Sequence, residues 1–320
     1  MRLFSLALLL VGWCGAAGAQ DQSFSQWRDH FRAAALAAGI GAATFDSAMA
    51  GVEPIPHVIE LDHRQPESKL AFSDYVRRLA SADRRDGVRK QLVDNRALLA
   101  RVGRRYGVQP RFIVALWGIE TDFGRFPGDF PVIASLATLA YDGRRADLFT
   151  HELIAALRIV QQDGVPPSEL RGSWAGAMGQ CQFMPSSFLH YAVSFRGGRH
   201  PDIWTDRADV FASIANYLAH LGWSADENWG RMVKAPSRIP MSAVGLGVSK
   251  SLAQWRRLGV KRADGGPLPL ASIKASLLLP EGEGGPALLV YRNFRTLLHW
   301  NNSQAFATSV GLLADGGETR

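Results

Sequence analysis

One apolar stretch of the sequence decides the fold: Pro110-Arg111-Phe112-Ile113-Val114-Ala115-Leu116-Trp117-Gly118-Ile119-Glu120-Thr121-Asp122-Phe123-Gly124. Pro110 suits the first position of a helix and Gly124 its stop, so Glu120 is expected in or near the last turn. Ile113, Leu116 and Trp117 recur at helical spacing with this glutamate, which places its carboxylate on the apolar face. Burial and a helix C-terminus both disfavour negative charge, so this carboxylic acid is expected to keep its proton near neutral pH.

A protonated carboxylic acid is the group that general-acid cleavage of a glycosidic bond requires. A solvated glutamate at a helix end is the simpler interpretation, and a lone Glu does not exclude it. A second stretch favours the catalytic interpretation: Ser173-Trp174-Ala175-Gly176-Ala177-Met178-Gly179-Gln180-Cys181-Gln182-Phe183-Met184-Pro185-Ser186-Ser187. Ser173, Gln180 and Gln182 are able to bind a ligand rich in hydroxyls or amides, and Trp174 and Phe183 offer rings for a sugar. The alternative is a tight packing turn, with Ser186 or Ser187 as a helix cap.

The charge of the chain points to an anionic partner. Its formal net charge is +7 and its sequence pI is about 9.7, which suits nucleic acid, a membrane surface or an acidic polymer. No zinc-finger, aromatic RNA-binding or basic-zipper pattern accompanies the arginines, so nucleic acid is not expected. Arg144 and Arg145 precede a predicted helix, where positive charge opposes the helix dipole. They are either a solvated helix start or a site for an acidic partner.

The first 19 residues are typical of a secretory signal, with Arg2, an apolar run and a small-residue cleavage site ending at Ala19. The run is too short to span a membrane comfortably, and no later run is long enough. Trp13 disfavours lipid attachment at Cys14, so we expect a soluble exported protein. Cys181 is then the only cysteine of the mature chain, which leaves no internal disulfide.

The periodicity predicts a mainly α (α+β) protein. Helical patterns fill most of the chain, including one helix from about 88 to 107 and a last helix from 304 to 314. Short strand-like runs at 271–279 and 287–291 lie in or next to a part that is rich in proline and glycine. The predicted parts are a signal peptide at 1–19, an N-terminal helical region at 20–100, a helical core at 101–228, a small β-containing subdomain at 229–286 and a C-terminal segment at 287–320 that returns to the core.

Together these motifs resemble the membrane-bound lytic murein transglycosylase B family, enzymes that cut the glycan strands of bacterial peptidoglycan. The matching residues, in chain order over most of the mature chain, are Leu61-Asp62 with Arg64-Gln65-Pro66-Glu67, Trp117-Gly118-Ile119-Glu120-Thr121, Gly176-Ala177-Met178-Gly179, Gln182-Phe183-Met184-Pro185-Ser186-Ser187, Asp202-Ile203-Trp204, Ala215-Asn216-Tyr217-Leu218, Asn293-Phe294 and Trp300-Asn301. The resemblance implies a lysozyme-like catalytic core at 101–228, further N-terminal helices and a periplasmic location.

The resemblance also implies a role for each matching site residue. Glu120 falls on the catalytic acid and base, and Ser173 and Gln182 fall on substrate-contacting positions. The remaining substrate-binding positions are Tyr217, which by itself reads as a core tyrosine, Trp300 and Asn301, where some members have Tyr in place of Trp, and the stem-contacting Arg144 and Arg145. The implied partners are glycan strands with peptide stems and proteins of wall synthesis or remodelling.

No cofactor or metal is expected. Some members of the family carry a calcium loop before the Asp-Ile-Trp segment, but Arg196 and Gly198 supply no ligand oxygen there. Asp122 would point away from Glu120 on a continuing helix, so a single acid is expected. A single acid suits assistance by the sugar's own N-acetyl group, with closure of a 1,6-anhydro ring. The alternatives are a muramidase-type hydrolase of the same fold and a non-catalytic peptidoglycan-binding scaffold.

Overall fold

The computed structural model describes residues 23–64, 70–198 and 200–317. The predicted signal peptide with Cys14, the Gln65-Pro66-Glu67 motif and the end of the tail lie outside these ranges. The described N-terminal helices are α1 (Phe24–Ala37), α2 (Ala42–Ala48), α3 (Pro56–Arg64), α4 (Phe72–Leu79) and α5 (Ala82–Asp94). α1 begins with a capping box in which Ser23 and Gln26 exchange side-chain and backbone hydrogen bonds.

Within the described ranges, six helices make up the middle of the chain. They are α6 (Arg96–Tyr106), α7 (Pro110–Thr121), α8 (Val132–Asp142), α9 (Ala146–Asp163), α10 (Pro185–Tyr191) and α11 (Arg207–His220). Pro110 occupies the first turn of α7, as predicted, and every residue from Phe112 to Gly118 is buried. A helix that is apolar on all sides has to lie inside the protein. α7 is therefore the central helix, and α5, α6 and α11 pack directly against it.

One predicted helix is two helices in the structure. The sequence predicted a single helix from about 88 to 107, whereas α5 ends at Asp94 and α6 begins at Arg96. Asn95 separates them, and its side-chain amide donates to the backbone carbonyl of Gln91 at 3.0 Å. Asparagine competes with the helix for backbone hydrogen bonds in this way, and the prediction missed the break because it relied on apolar spacing alone.

A small antiparallel sheet forms most of the segment after α11. Its strands are β3 (Gly230–Lys234), β4 (Lys250–Ser251), β5 (Lys261–Arg262), β6 (Lys274–Leu278) and β7 (Ala287–Val290), in the order β4-β6-β7-β3-β5. Alternate residues face opposite sides, so Leu278 and Leu288 pack on the main core. Leu277 and Leu289 pack with Trp255 of α12 (Leu252–Arg257) in a second core. The predicted strands at 271–279 and 287–291 are confirmed with shorter bounds.

The chain returns to the core through α13 (Arg292–Trp300) and α14 (Gln304–Gly316). α14 packs against α7, α4 and α5, so the last helix joins the central helix to the N-terminal region. Two short strands, β1 (Phe130–Pro131) and β2 (Arg171–Gly172), pair antiparallel and join the start of α8 to the segment that precedes Ser173. The expected mainly α architecture with a small β part is confirmed, while the exact domain boundaries stay a prediction.

Within the described ranges, none of the helices combines the length and the apolar character that crossing a bilayer requires.

Candidate active site

Glu120 lies in the last turn of α7 and is half-buried. The indole Nε1–H of Trp300, the last residue of α13, donates a hydrogen bond of 2.7 Å to Glu120 Oε1. An indole N–H is only a donor, so this bond fixes the carboxyl oxygen Oε1 as an acceptor in either protonation state. The carboxyl group is therefore held at a known orientation by an element that is distant in sequence.

α7 ends immediately after Glu120 because the backbone turns left-handed. Asp122 and Phe123 have φ values of 50° and 62°, which are uncommon for residues with a side chain. The Phe123 ring turns back onto α7, where a β-carbon at Gly118 would lie 2.6 Å from it. The Asp122 carboxylate accepts a hydrogen bond of 2.9 Å from Arg125. Asp122 is thus engaged with an arginine on the loop that follows, and it is not arranged as a second acid for Glu120.

Gln180, which the sequence left as either a ligand-binding residue or part of a tight packing turn, is bonded to protein groups at both ends of its amide. Its side-chain oxygen accepts from Trp117 Nε1 at 2.9 Å, and its side-chain nitrogen donates to the Trp204 carbonyl at 2.7 Å. The neighbouring Cys181 is fully buried, and its pKa is raised well above the ordinary value by burial and then by the charges of Glu120 and Asp209. This thiol is therefore held protonated and unreactive.

The side chain of Gln182 is held through its amide nitrogen. Its side-chain nitrogen donates to the carbonyls of Pro127 and Gly179, both at 2.9 Å. With both amide hydrogens used in this way, the amide oxygen is the part of the group that remains to accept from a ligand. Its backbone has a φ of 51°, a strained conformation that the surrounding hydrogen bonds stabilise.

Ser173 offers a hydroxyl donor that complements the amide acceptor of Gln182. It lies at the start of a tight turn, and its Oγ accepts from the Ala177 N–H at 3.1 Å while its own hydrogen is able to donate. Gly172 and Phe183 both form bridges to Met178, so Ser173 and Gln182 lie on adjacent backbone segments. A hydroxyl donor and an amide acceptor in one turn are suited to an acetamido group, which has one acceptor and one donor.

Tyr217 is buried behind Trp300. It is 9% exposed, its ring centroid lies 4.7 Å from that of Trp300, and its hydroxyl donates to the His299 carbonyl at 2.9 Å. Burial, followed by the neighbouring Tyr191, raises the pKa of Tyr217 to about 12. The tyrosine hydroxyl is therefore a neutral donor that supports the end of α13. The ring of Phe183, also predicted to stack on sugar, is 2% exposed and lies 5.4 Å from that of Trp300.

Asn301 caps the C-terminal end of α13 and is exposed next to Trp300. Its backbone N–H donates to the Leu297 carbonyl at 3.1 Å. Sequence and structure thus bring Glu120, Gln182, Trp300 and Asn301 to one region, connected through the Phe183 and Trp300 rings.

Arg144 and Arg145 have an acidic partner within the chain. Both guanidinium groups donate to the carboxylate of Asp62 on α3, which is 1% exposed, and Arg144 also donates to the Asp62 carbonyl at 2.9 Å. Burial raises the pKa of Asp62, but the two arginines outweigh burial and hold it below its ordinary value. The side chains of Arg144 and Arg145 are still 46% and 37% exposed, so they also face solvent.

The stretch that carries calcium in some members of the family is held here by protein groups. The Arg196 guanidinium pairs with the Asp206 carboxylate at 3.0 Å. The buried Asp209 carboxylate accepts from the backbone N–H groups of Phe195 and Asp202, at 2.8 and 2.9 Å. A guanidinium in the loop already supplies the positive charge, so these residues do not fit a calcium ion.

In the described ranges, one group of side chains is close enough to hold a metal ion: Asp62, His63 and Asp142. Arg144 and Arg145 neutralise Asp62, which disfavours a cation there.

Two residues were missed as functional partners in the sequence. In the sequence, Asp62 stood out only as part of a motif that matches the family. Nothing in the neighbouring residues links it to arginines more than 80 positions away. Glu152 of α9 binds the backbone N–H of Ser186 at 2.9 Å and its hydroxyl at 2.7 Å. Glu152 therefore caps α10, whose own N-cap residue, Met184, makes no side-chain capping bond.

Comparison with known proteins gives a consistent result. The model of a family described as the transglycosylase SLT domain matches residues 23–315. The membrane-bound lytic murein transglycosylase B of Escherichia coli (strain K12) is 35% identical over 213 residues, which is 66% of this chain. The matched part spans 58% of the length of that relative.

Solved structures match over nearly the whole chain. SltB3 from Pseudomonas aeruginosa in complex with NAG-NAM-pentapeptide is 47% identical, with a TM-score of 0.88 over 92% of this chain and 80% of that one. The same protein in complex with NAG-anhNAM-pentapeptide gives a TM-score of 0.87 with the same identity and coverage. The lytic transglycosylase Slt35 of Escherichia coli in complex with calcium is 29% identical, with a TM-score of 0.76 over 91% of this chain and 92% of that one.

Proposed function

The chain belongs to the transglycosylase SLT domain family, and on that premise we propose that it is a lytic transglycosylase that cleaves the β-1,4 bond between MurNAc and GlcNAc in peptidoglycan. The observation that carries this proposal is the half-buried Glu120, whose Oε1 accepts from Trp300. Asp122, the nearest acid in sequence, is paired with Arg125. A single positioned carboxyl group suits a reaction in which the substrate supplies the remaining groups.

In the proposed reaction, Glu120 acts first as an acid and then as a base. It gives its proton to the bridging oxygen as the bond from that oxygen to C1 of MurNAc breaks. The N-acetyl oxygen of MurNAc stabilises the cation at C1. The Glu120 carboxylate then takes the proton of the MurNAc C6 hydroxyl, whose oxygen bonds to C1 and closes the 1,6-anhydro ring. No water is consumed, and Glu120 returns to its protonated state.

Ser173 and Gln182 are the groups that would orient the N-acetyl group. The Ser173 hydroxyl is able to donate to the acetamido oxygen, and the Gln182 amide oxygen is able to accept from the acetamido N–H. The hydrogen bonds of Gln182 to Pro127 and Gly179 support this orientation, because they prevent the amide from rotating. Trp300 would hold Glu120, Tyr217 would support Trp300, and exposed Asn301 would contact the glycan strand.

The peptide stems are the second part of the proposed substrate. SltB3 has been crystallised with NAG-NAM-pentapeptide and with NAG-anhNAM-pentapeptide, which supports a stem-bearing substrate and an anhydro product. The partly exposed Arg144 and Arg145 would bind a stem carboxylate with the N–H groups that Asp62 does not use. We also propose that the protein acts in the periplasm, together with proteins of wall synthesis or remodelling.

The experiment that tests the proposal is mass analysis of the products. The purified protein is incubated with peptidoglycan, and the released muropeptides are expected to end in 1,6-anhydroMurNAc, lighter by one water than hydrolysis products. The tethered C6 hydroxyl has a large advantage in effective concentration over free water. Products with reducing ends would indicate the muramidase-type alternative. A folded protein that binds peptidoglycan and releases nothing would indicate the scaffold.

A further inference from the structure

The excess positive charge of the chain is concentrated in the β-containing subdomain. Residues 229–286 contain nine Lys or Arg and three Asp or Glu, a net charge of +6. The whole chain has a net charge of +7, so all other residues together contribute only +1. A charge imbalance confined to one part of a protein indicates a surface for an anionic partner.

Five of these cations lie together at the edge of the sheet, and we call them the basic edge: Lys234, Arg256, Arg257, Lys261 and Arg262. β5 is the edge strand next to β3, and Lys234 of β3 lies directly opposite Lys261. Arg256 and Arg257 end α12, which a tight turn at Gly259 connects to β5. A β-carbon at Gly259 would lie 3.6 Å from Pro236, just beyond β3, so the helix end and the two strands are adjacent.

The basic edge is largely uncompensated. Of the three acids in the subdomain, Asp264 pairs with Arg262 and is also close enough to Lys234 for that charge to help lower its pKa, and Glu281 binds Ser73. In the part of the chain that the structure describes, the other four members of the basic edge have no carboxylate within 4.0 Å. The helix dipole favours Arg256 and Arg257 at the end of α12. The position of Lys234 opposite Lys261 has no such compensation, since like charges across a strand pair destabilise a sheet.

Exposed aliphatic side chains accompany this charge. Leu258 follows Arg257 and is 37% exposed, and Leu270 is 86% exposed three residues after Pro267, which forms a bridge with Lys261. A soluble polyanion has no use for exposed leucines, whereas a bilayer surface takes up both apolar side chains and cations. We propose that the basic edge, with Leu258 and Leu270, binds the surface of a membrane that contains anionic phospholipid. The chain would then approach the glycan from the membrane side.

Vesicle sedimentation tests this inference independently of any enzymatic activity. The purified protein is expected to bind vesicles of phosphatidylcholine with about 30% phosphatidylglycerol, to bind pure phosphatidylcholine much less, and to be released by salt. Lys234→Gln with Lys261→Gln is expected to weaken binding about 25-fold, because each cation near an anionic surface contributes a factor of about 5. The matched control is Arg96→Gln with Arg104→Gln, two exposed arginines of α6.

Each outcome supports or contradicts binding of the basic edge to an anionic membrane. Equal losses in the two double variants would show that net charge alone drives binding, and no preference of the wild type for phosphatidylglycerol would overturn the proposal outright. Leu270→Asn is expected to weaken vesicle binding at least several-fold. If that variant binds vesicles normally and polyglutamate competes with them, the partner is a soluble polyanion and the membrane proposal fails. Thermal unfolding of each variant confirms that it is folded.

Discussion

At the scale of single residues, the orientation of the Glu120 carboxyl group depends on a side chain 180 positions later in the chain. The sequence predicted the helix and the place of Glu120 in its last turn, on the apolar face. It could not predict that Trp300 donates to Oε1, because a contact between distant segments leaves no local pattern. Gln180 and Gln182 show the same limit, since both are polar residues in one turn, yet one is used internally and the other presents an acceptor.

We expect Glu120→Gln to abolish cleavage while the fold remains. The amide keeps the shape of the side chain but cannot donate the proton, and loss of general-acid catalysis costs about 10²–10⁴-fold or more. Release of muropeptides measures the effect, and Asp122→Asn is the control, since that carboxylate is paired with Arg125. Near-normal turnover of Glu120→Gln would remove this residue from the mechanism.

Trp300→Phe is expected to lower kcat about 10-fold or more. The change keeps an aromatic ring beside Phe183 and removes the only hydrogen that the indole donates to Glu120, and hydrogen bonds to charged groups are worth about 1.5–3 kcal/mol. Trp223→Phe is the matched control, because it removes the same kind of indole donor, there bonded to the side-chain oxygen of Gln109 at 2.7 Å, without touching Glu120. A similar loss of kcat in both variants would mean that packing, rather than the bond to Glu120, is responsible.

At the scale of elements, the start of α9 is tied to α3 by two arginines on one buried carboxylate. The sequence left open whether Arg144 and Arg145 are a solvated helix start or a site for an acidic partner, and the resemblance assigned them to peptide stems. It did not predict that both bind Asp62 within the chain. The separation of α5 from α6 at Asn95 is a comparable case, since the side-chain bond that interrupts the helix is invisible in the apolar pattern.

The pairing of Asp62 with Arg144 and Arg145 predicts that the stability of the fold depends on pH. The pKa of Asp62 is lowered in the folded protein, so its contribution is present above the ordinary pKa of about 4 and is lost as the pH falls through the folded value. Asp62→Asn is expected to lower the free energy of unfolding by about 1–3 kcal/mol at pH 7, with the partial exposure of the arginines taken into account. The difference from the wild type should shrink below about pH 4. Urea denaturation at several pH values measures it, and an equal difference at all pH values would contradict the assignment.

Arg144→Ala with Arg145→Ala should reduce activity on stem-bearing glycan more than activity on bare glycan. The stems carry carboxylates, and the exposed N–H groups of the arginines are able to bind them. The quantity to measure is the ratio of the two activities in protein shown to be folded, because loss of both partners also leaves Asp62 buried and unpaired. An unchanged ratio would mean that the arginines act only on Asp62.

At the scale of the whole molecule, the carboxylate of Glu281 joins the N-terminal helices to the β-containing subdomain. Glu281, in the turn between β6 and β7, accepts from the backbone N–H and the hydroxyl of Ser73 at 2.8 and 2.7 Å. These bonds lower the pKa of Glu281. The sequence predicted both regions from composition and periodicity, but not how they meet, because one exposed glutamate among many carries no sign of its partner.

We expect Glu281→Gln to loosen the subdomain without changing the surroundings of Glu120. The amide carries no charge and accepts more weakly from Ser73, so amide hydrogen exchange in the strands should become faster. Glu283→Gln, two residues later and also exposed, is the control. Identical exchange in the two variants would show that the bond to Ser73 does not hold the two regions together.

The distance in sequence between Glu120 and Trp300 also has a consequence in time. A chain emerges from the ribosome with its N-terminus first, at about 5–20 residues per second. Residue 300 therefore appears roughly 10–40 s after residue 120, and α14 follows it to complete the packing on α7. Throughout that interval Glu120 lacks the hydrogen bond from Trp300, and α7 lacks the contact with α14. Under the proposed mechanism, a chain that ends before residue 300 therefore lacks the bond that orients its acid, and it is expected to be inactive.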